Sequence, residues 1–307
     1  MKHLFIINPV AGGKRSRLAE TEHKIRDFAD RHGVPYEIYL TKAPMDACQK
    51  VARETEINDK LYVYACGGDG TLNECVNGAA LCANTAVTQY PCGTGNDFIK
   101  TFGSADIHKF RDLQALADGS VRPIDLIDCN GRYGINICSV GIDARVGADV
   151  HKYSGIPIVG GAAGYVVSLV VNVIKGVSQN FRLSTGGEMA EKRLTLVCAC
   201  NGRFYGGGFN PVPDAMPDDG IIEYLIVEDV SRLKVAKVVG RYSKGRFREL
   251  GNIVTHIRGG YVEIGADREF IVNIDGEIIH TENVCFKAVP KGVNFLFPLG
   301  MDFFVYN

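Results

Sequence analysis

Gly67-Gly68-Asp69-Gly70-Thr71 follows the apolar run Leu61-Tyr62-Val63-Tyr64-Ala65 directly. Glycines lack Cβ, so successive backbone N–H groups can turn inward and approach an anion closely. Thr71 and Glu74 have the spacing of a capping box, which predicts a helix beginning at Thr71. A strand, a glycine turn and a helix N-terminus in succession make a phosphate site by geometry.

Four other segments carry chemistry. Asn8-Pro9-Val10-Ala11-Gly12-Gly13-Lys14 closes the first strand and offers a second set of phosphate-facing amides, or a plain glycine turn at a helix entry. It is not a Walker A loop, because Asn8 stands where glycine is needed and Arg15 where a hydroxyl must meet magnesium. Pro91-Cys92-Gly93-Thr94-Gly95-Asn96-Asp97 adds a hydroxyl at Thr94 and a carboxylate, Asp97, able to reach magnesium through water. It is not a dinucleotide fingerprint, since Phe98 occupies the place of the third glycine. Asp214, Asp218 and Asp219 crowd the turn of residues 213–220, either as a divalent-cation site or as a solvated hairpin. Asp275-Gly276-Glu277 ends a strand pattern and supplies either a general base or a polar turn.

The elements that must position these groups change character along the chain. Residues 4–7, 36–40, 61–65 and 86–90 read as strands separated by helical patterns, the first over 16–31. Such alternation predicts an α/β domain with a parallel sheet, whose ligands sit beyond the carboxyl ends of its strands. Near Pro123 the pattern switches. Residues 124–129 and 133–138 flank Asn130-Gly131, a hairpin signal, and strand patterns dominate from 181 onward (193–200, 221–227, 261–264, 269–274 and 284–289). This half reads as a β-rich antiparallel sandwich carrying helices.

Composition narrows the classes. The 307 residues suffice for two domains, and 34 Lys and Arg against 35 Asp and Glu give no reason to expect nucleic acid as a partner. No signal peptide is read at the N-terminus. The ten cysteines lack zinc-ribbon spacing and read as reduced core residues of a cytosolic protein. Residues 156–174 are nearly free of charge, but glycines, Pro157, Ser168 and Asn172 favour a buried or cleft-lining helix over a membrane span. Residues 231–248 hold seven basic side chains before the first acid, with Val235, Val238, Val239 and Tyr242 at helical spacing. That pattern suits an interfacial helix resting on anionic lipid, or a helix packed on its own domain with a solvated basic face.

Taken together, these segments resemble the diacylglycerol kinase catalytic family, especially its soluble bacterial lipid kinases, distant relatives of sphingosine kinases and NAD kinases. The resemblance spans essentially the whole chain, and its most specific pieces are 67–74, 91–97, 213–220 and 275–277, in that order. It implies an NAD-kinase-like nucleotide domain over residues 1–125, a lipid-binding domain over 126–294, and a C-terminal segment, about 295–307, that returns to the first. By matching position, ATP would be held by Asn8, Pro9, Val10, Ala11, Gly12, Thr41, Gly68, Asp69, Gly70, Thr71, Leu72, Asn73, Glu74 and Thr94. Asp69, Asp97 and Asp125 would belong to an aspartate–water–Mg²⁺ network. Asp219, with the main-chain carbonyls of Met216 and Ile221, matches a second metal site. Glu277 matches the proton acceptor, with Asp275 beside it, and either carboxylate is a candidate base. Met216-Pro217 departs from the usual family residues, which matters little where the ligand is a backbone oxygen.

The resemblance implies an ATP- and Mg²⁺-dependent kinase that phosphorylates a membrane-lipid hydroxyl, most simply diacylglycerol to phosphatidic acid. Such an enzyme is expected in the cytoplasm, peripherally attached to an anionic membrane surface. Phosphatidylglycerol, a long-chain base or NAD as acceptor, and a silent lipid- or nucleotide-binding regulator, are the alternatives. Homodimerisation is left open by the sequence.

Overall fold

A computed structural model describes residues 1–11, 15–93, 95–154 and 161–303. Two compact units emerge, Met1–Ile124 joined by Lys291–Asn307, and Asp125–Pro290.

In the first unit the order is β1 (Lys2–Ile7), α1 (Arg15–His32), β2 (Tyr36–Leu40), α2 (Asp46–Ile57), β3 (Leu61–Gly67), α3 (Asp69–Ala79) and β4 (Thr85–Pro91). Two short 3₁₀ turns and α4 (Leu113–Ala117) follow. β1 pairs in parallel with β2 and β3, and β3 with β4. Every residue of β3 and β4 is buried, the unbroken pattern of strands covered on both faces. The carboxyl ends of β1, β3 and β4 therefore release the chain at Asn8, Gly68 and Cys92, the three segments singled out for chemistry.

His3 lies in this core, with Nδ1 2.9 Å from the Tyr64 hydroxyl and its ring stacked on Tyr64. Burial lowers its pKa from 6.5 to about 4, so the folded protein keeps the imidazole neutral while the unfolded chain protonates it. Its stabilising contribution is complete above pH 6.5 and drains away as pH falls toward 4. Urea midpoints measured across that window should fall more steeply for the wild type than for His3→Phe.

The second unit begins within β5 (Ser120–Cys129) and continues through β6 (Arg132–Gly134), β7 (Ile137–Gly141), α5 (Ile142–Ser154), α6 (Gly161–Lys175), β8 (Gln179–Ser184), β9 (Ala190–Cys200) and β10 (Glu223–Glu228). It then adds α7 (Arg232–Tyr242), β11 (Val254–Arg258), β12 (Tyr261–Ile274) and β13 (Glu277–Phe297), whose far end belongs to the first unit. Its pairings β9–β10, β10–β11, β7–β9, β7–β12 and β12–β13 are all antiparallel. Alternation along the strands fills two separate cores. Val197, Ala199, Tyr224 and Ile226 point into one, while Leu196, Cys198, Leu225 and Val227 meet Val235, Val238 and Tyr242 of α7 in the other.

Two local expectations change. α3 starts at Asp69 rather than Thr71, with Gly68 as N-cap and no side-chain cap bond. Glu74 does not close a capping box, because its Oε2 accepts from the Ala47 amide in the first turn of α2. The Asn130-Gly131 hairpin forms with both residues at positive φ, but its return arm is cut after Gly134. The next three amides are captured by Asp275, and the chain re-enters as β7 beside β9 and β12.

Candidate functional site

Two loops at the ends of β3 and β4 pack backbone against backbone. The Gly67 carbonyl accepts from the amides of both Cys92 and Gly93 at 3.1 Å, and the Asp69 amide donates to Gly95 O at 3.1 Å. A Cβ at Gly68 would lie 2.7 Å from Gly95 O, and one at Gly93 would lie 2.7 Å from Gly68 N and Cα. Only glycine permits this approach.

The Asp69 carboxylate fastens the arrangement. It accepts from the Asp97 amide at 2.8 and 2.9 Å and from the Phe98 amide at 3.3 Å. Behind it the Phe98 ring packs on Phe102 and on Phe295 of β13. Asp97 is buried and paired with Lys100. Asn96 closes the second loop, donating to Gly93 O at 2.9 Å while accepting from Gln89 at 3.2 Å.

Asn8 joins the same constellation. Its Oδ1 accepts from the Val10 amide at 3.1 Å, and its Nδ2 reaches Thr71 Oγ1 at 3.5 Å, which explains why Thr71 faces the end of β1. Pro9 and Val10 are exposed, Ala11 and Thr41 half-exposed, and the Thr41 amide donates to Ile7 O. Gly70 is also half-exposed. Leu72 is fully buried and Asn73 nearly so, hence they support α3 from within rather than facing outward. Gly12 and Thr94 lie outside the described residues. The surface that could meet phosphate is thus the turn at 67–70 with the N-terminus of α3, bordered by Asn8, Gly93 and residues 95–97.

In the second unit, Asp125 is almost fully buried and braces the acidic turn. Its Oδ2 accepts from Gly220 N at 2.6 Å, and its own amide donates to Pro217 O at 2.7 Å. Asp219 accepts from the Ile221 amide at 2.9 Å, and burial pushes its carboxyl above the usual range, only partly opposed by Arg258 at 3.7 Å. The Asp219 carboxylate and the carbonyls of Met216 and Ile221 are oxygen donors of the kind a hard divalent ion takes. Among the described residues no three His, Cys, Asp or Glu side chains come together as a metal cluster.

Asp275 and Glu277 differ sharply. Asp275 sits at φ 53, and its carboxylate accepts from the amides of Ile135 at 2.7 Å, Asn136 at 3.0 Å and Ile137 at 2.8 Å. The Glu277 side chain is about one-third exposed, with Arg132 3.9 Å away. Asp275 therefore shapes the turn. Asparagine tolerates positive φ, so Asp275→Asn isolates the carboxylate's effect. We expect a loss of about 2–4 kcal/mol in urea unfolding, because an NH₂ group replaces one acceptor facing three donors.

Sequence reading missed Asn136 and Asn201. Asn201 donates to Asp125 O at 2.8 Å and Ile135 O at 2.7 Å, and Asn136 donates to Phe204 O at 2.8 Å. Each keeps a buried Oδ1 without a hydrogen-bond partner. A polar residue just after an apolar strand, as Asn201 follows β9, is the signal that could have found them.

Residues 2–129 match the diacylglycerol kinase catalytic domain, and residues 136–297 match the YegS C-terminal NAD kinase beta sandwich-like domain. A protein of Staphylococcus aureus (strain JH9) named "Putative lipid kinase" is 26% identical over 250 residues, 81% of each chain. Two crystal structures from Bacillus anthracis str. Sterne share the fold. One, titled a putative diacylglycerol kinase, has a TM-score of 0.73 at 23% identity over 97% of both chains. The other, titled a diacylglycerol kinase, has a TM-score of 0.67 at 21% identity over 98% of both. With both halves matched in order, the chain belongs to the diacylglycerol kinase catalytic family, a family of lipid kinases.

Proposed function

We propose that this lipid kinase transfers the γ-phosphoryl group of ATP, with Mg²⁺, to the hydroxyl of a membrane lipid, and that diacylglycerol is the acceptor. The observation that carries the reading is the glycine-lined backbone contact between the loops that follow β3 and β4, made at the N-terminus of α3. Phosphoryl transfer needs mainly positioning and electrostatic stabilisation, and rigid backbone donors supply both without reorganising during the reaction.

In this scheme the amides around Gly68, Gly70 and Thr71 bind the phosphates, and Asn8 orients Thr71 beside them. Asp69 holds the second loop in register. Mg²⁺ would neutralise charge on the transferred group; Asp69 and Asp97 would accept hydrogen bonds from its waters. A structural cation would sit at Asp219 with Met216 and Ile221, bracing the turn against Asp125. Glu277 accepts the proton of the lipid hydroxyl, while Asp275 fixes the turn that presents it.

The test is transfer of labelled γ-phosphate to a panel containing diacylglycerol, phosphatidylglycerol, a long-chain base and NAD. Label appearing in phosphatidic acid, dependent on Mg²⁺, is the expected result. Label confined to NADP, or intact ATP with every acceptor, would overturn the proposal.

A further inference from the structure

Over residues 167–174 of α6 the polar side chains turn inward. Its polar residues Ser168 and Asn172 are buried, donating to Val146 O at 2.9 Å and to Asp149 Oδ2 at 3.2 Å. Leu169 and Val173 pack against the apolar core beneath. The outward side carries Val170, 52% exposed, and Ile174, 67% exposed. An ordinary surface helix places its polar face outward, so bare aliphatic side chains here imply a partner that rewards their burial.

α7 continues this surface. Arg232 donates to Ile174 O at 2.8 Å, tying the start of α7 to the end of α6. Leu233, next in sequence, is 96% exposed. Lys234 and Lys237 are exposed on the same helix, whose other face buries Val235, Val238 and Tyr242. Among the described residues Arg232, Lys234 and Lys237 form no ion pair. Nearby carboxylates are already matched: Asp149 by Lys175, Glu228 by Lys192 and Asp229 by Arg193. Arg241, grouped with these residues by sequence, is instead bound to Glu249 at 3.0 Å.

We infer that Val170, Ile174 and Leu233, ringed by Arg232, Lys234 and Lys237, form a docking surface for an anionic phospholipid bilayer. The cations meet headgroup phosphates while the aliphatic tips enter the acyl boundary, the division of labour found in interfacial helices. Three uncompensated cations beside bare aliphatic groups fit a negatively charged, apolar-cored surface. The inference rests on the lipid-kinase reading for its purpose, since an acceptor embedded in a membrane must be reached there.

The experiment is flotation of the full chain at low salt with vesicles of phosphatidylcholine alone and with about 30% phosphatidylglycerol. Partitioning should be at least tenfold greater on the anionic vesicles. Lys234→Gln with Lys237→Gln should lower it roughly 25-fold, about fivefold per charge removed. Ile174→Ser with Leu233→Ser should lower it about tenfold or more. Wild-type binding that ignores phosphatidylglycerol, or either pair remaining within twofold of wild type, would overturn the inference. So would a dimer in solution that Ile174→Ser with Leu233→Ser dissolves, because a second copy would then be the occupant. Phosphoryl transfer to a soluble short-chain diacylglycerol, measured alongside, separates the two readings. Turnover without vesicle binding removes only the docking surface, and vesicle binding without turnover on any acceptor removes only the kinase reading.

Discussion

Alanine at Asp69 is expected to lower γ-phosphoryl transfer by roughly 10³-fold or more while the protein stays folded. The carboxylate holds the amides of Asp97 and Phe98, which set the loop at 92–97 against Gly67 and Gly68. Losing it leaves these donors unmatched and lets the two loops slide apart, and misplacement of about 1 Å can cost 10² in rate. Removal of one preorganised electrostatic group typically costs a further 10²–10³. The fold should survive because Phe98 is anchored separately by Phe102 and Phe295. Labelled phosphate transfer gives the rate, and far-UV circular dichroism with thermal melting gives the fold. Activity within tenfold of wild type would remove Asp69 from the mechanism.

Glu277→Gln should lower kcat by at least about 10²-fold with little change in stability. Glutamine keeps the size and polarity of the side chain but cannot accept a proton, and general-base catalysis contributes typically 10²–10⁴. Because the Glu277 side chain is partly exposed and the turn is held by the Asp275 carboxylate, its replacement should leave the turn intact. The contrast with Asp275→Asn is the informative comparison. The Asp275 variant should lose stability first, whereas the Glu277 variant should lose turnover with a nearly unchanged urea midpoint. A decrease in kcat below tenfold would exclude general-base work at Glu277.

Local periodicity made much of the scaffold legible. The buried runs of β1, β3 and β4 and the Asn130-Gly131 turn could be read directly, because apolar runs and positive-φ residues speak for themselves. What failed depended on side chains reaching across sequence. Glu74 had every local feature of a helix cap, yet the amide of Ala47, 27 positions earlier, claims it. The hairpin arm at 133–138 is broken by a carboxylate 140 positions away. β12 reads as two strands because a register shift falls between Gly265 and Phe270, although the pairing with β13 resumes beyond it. The candidate site divides in the same way. Glycine spacing marked the loops, but the three amides that Asp275 holds are contained in no spacing rule.

The far end of β13 has a consequence during synthesis. Asn294 and Phe295 lie beside Ala86 and Val87 of β4, the Leu81 amide donates to Gly292 O, and Phe295 and Phe297 complete the aromatic cluster around Phe102. A ribosome releases these residues some 200 positions after β4. Until then the nascent first unit carries an unfilled strand edge and an incomplete core, the kind of transient exposure that chaperones cover. The loop that ends at Phe98 therefore gains its backing only when translation is nearly finished, so a stalled chain would hold the glycine loops without the wall behind them.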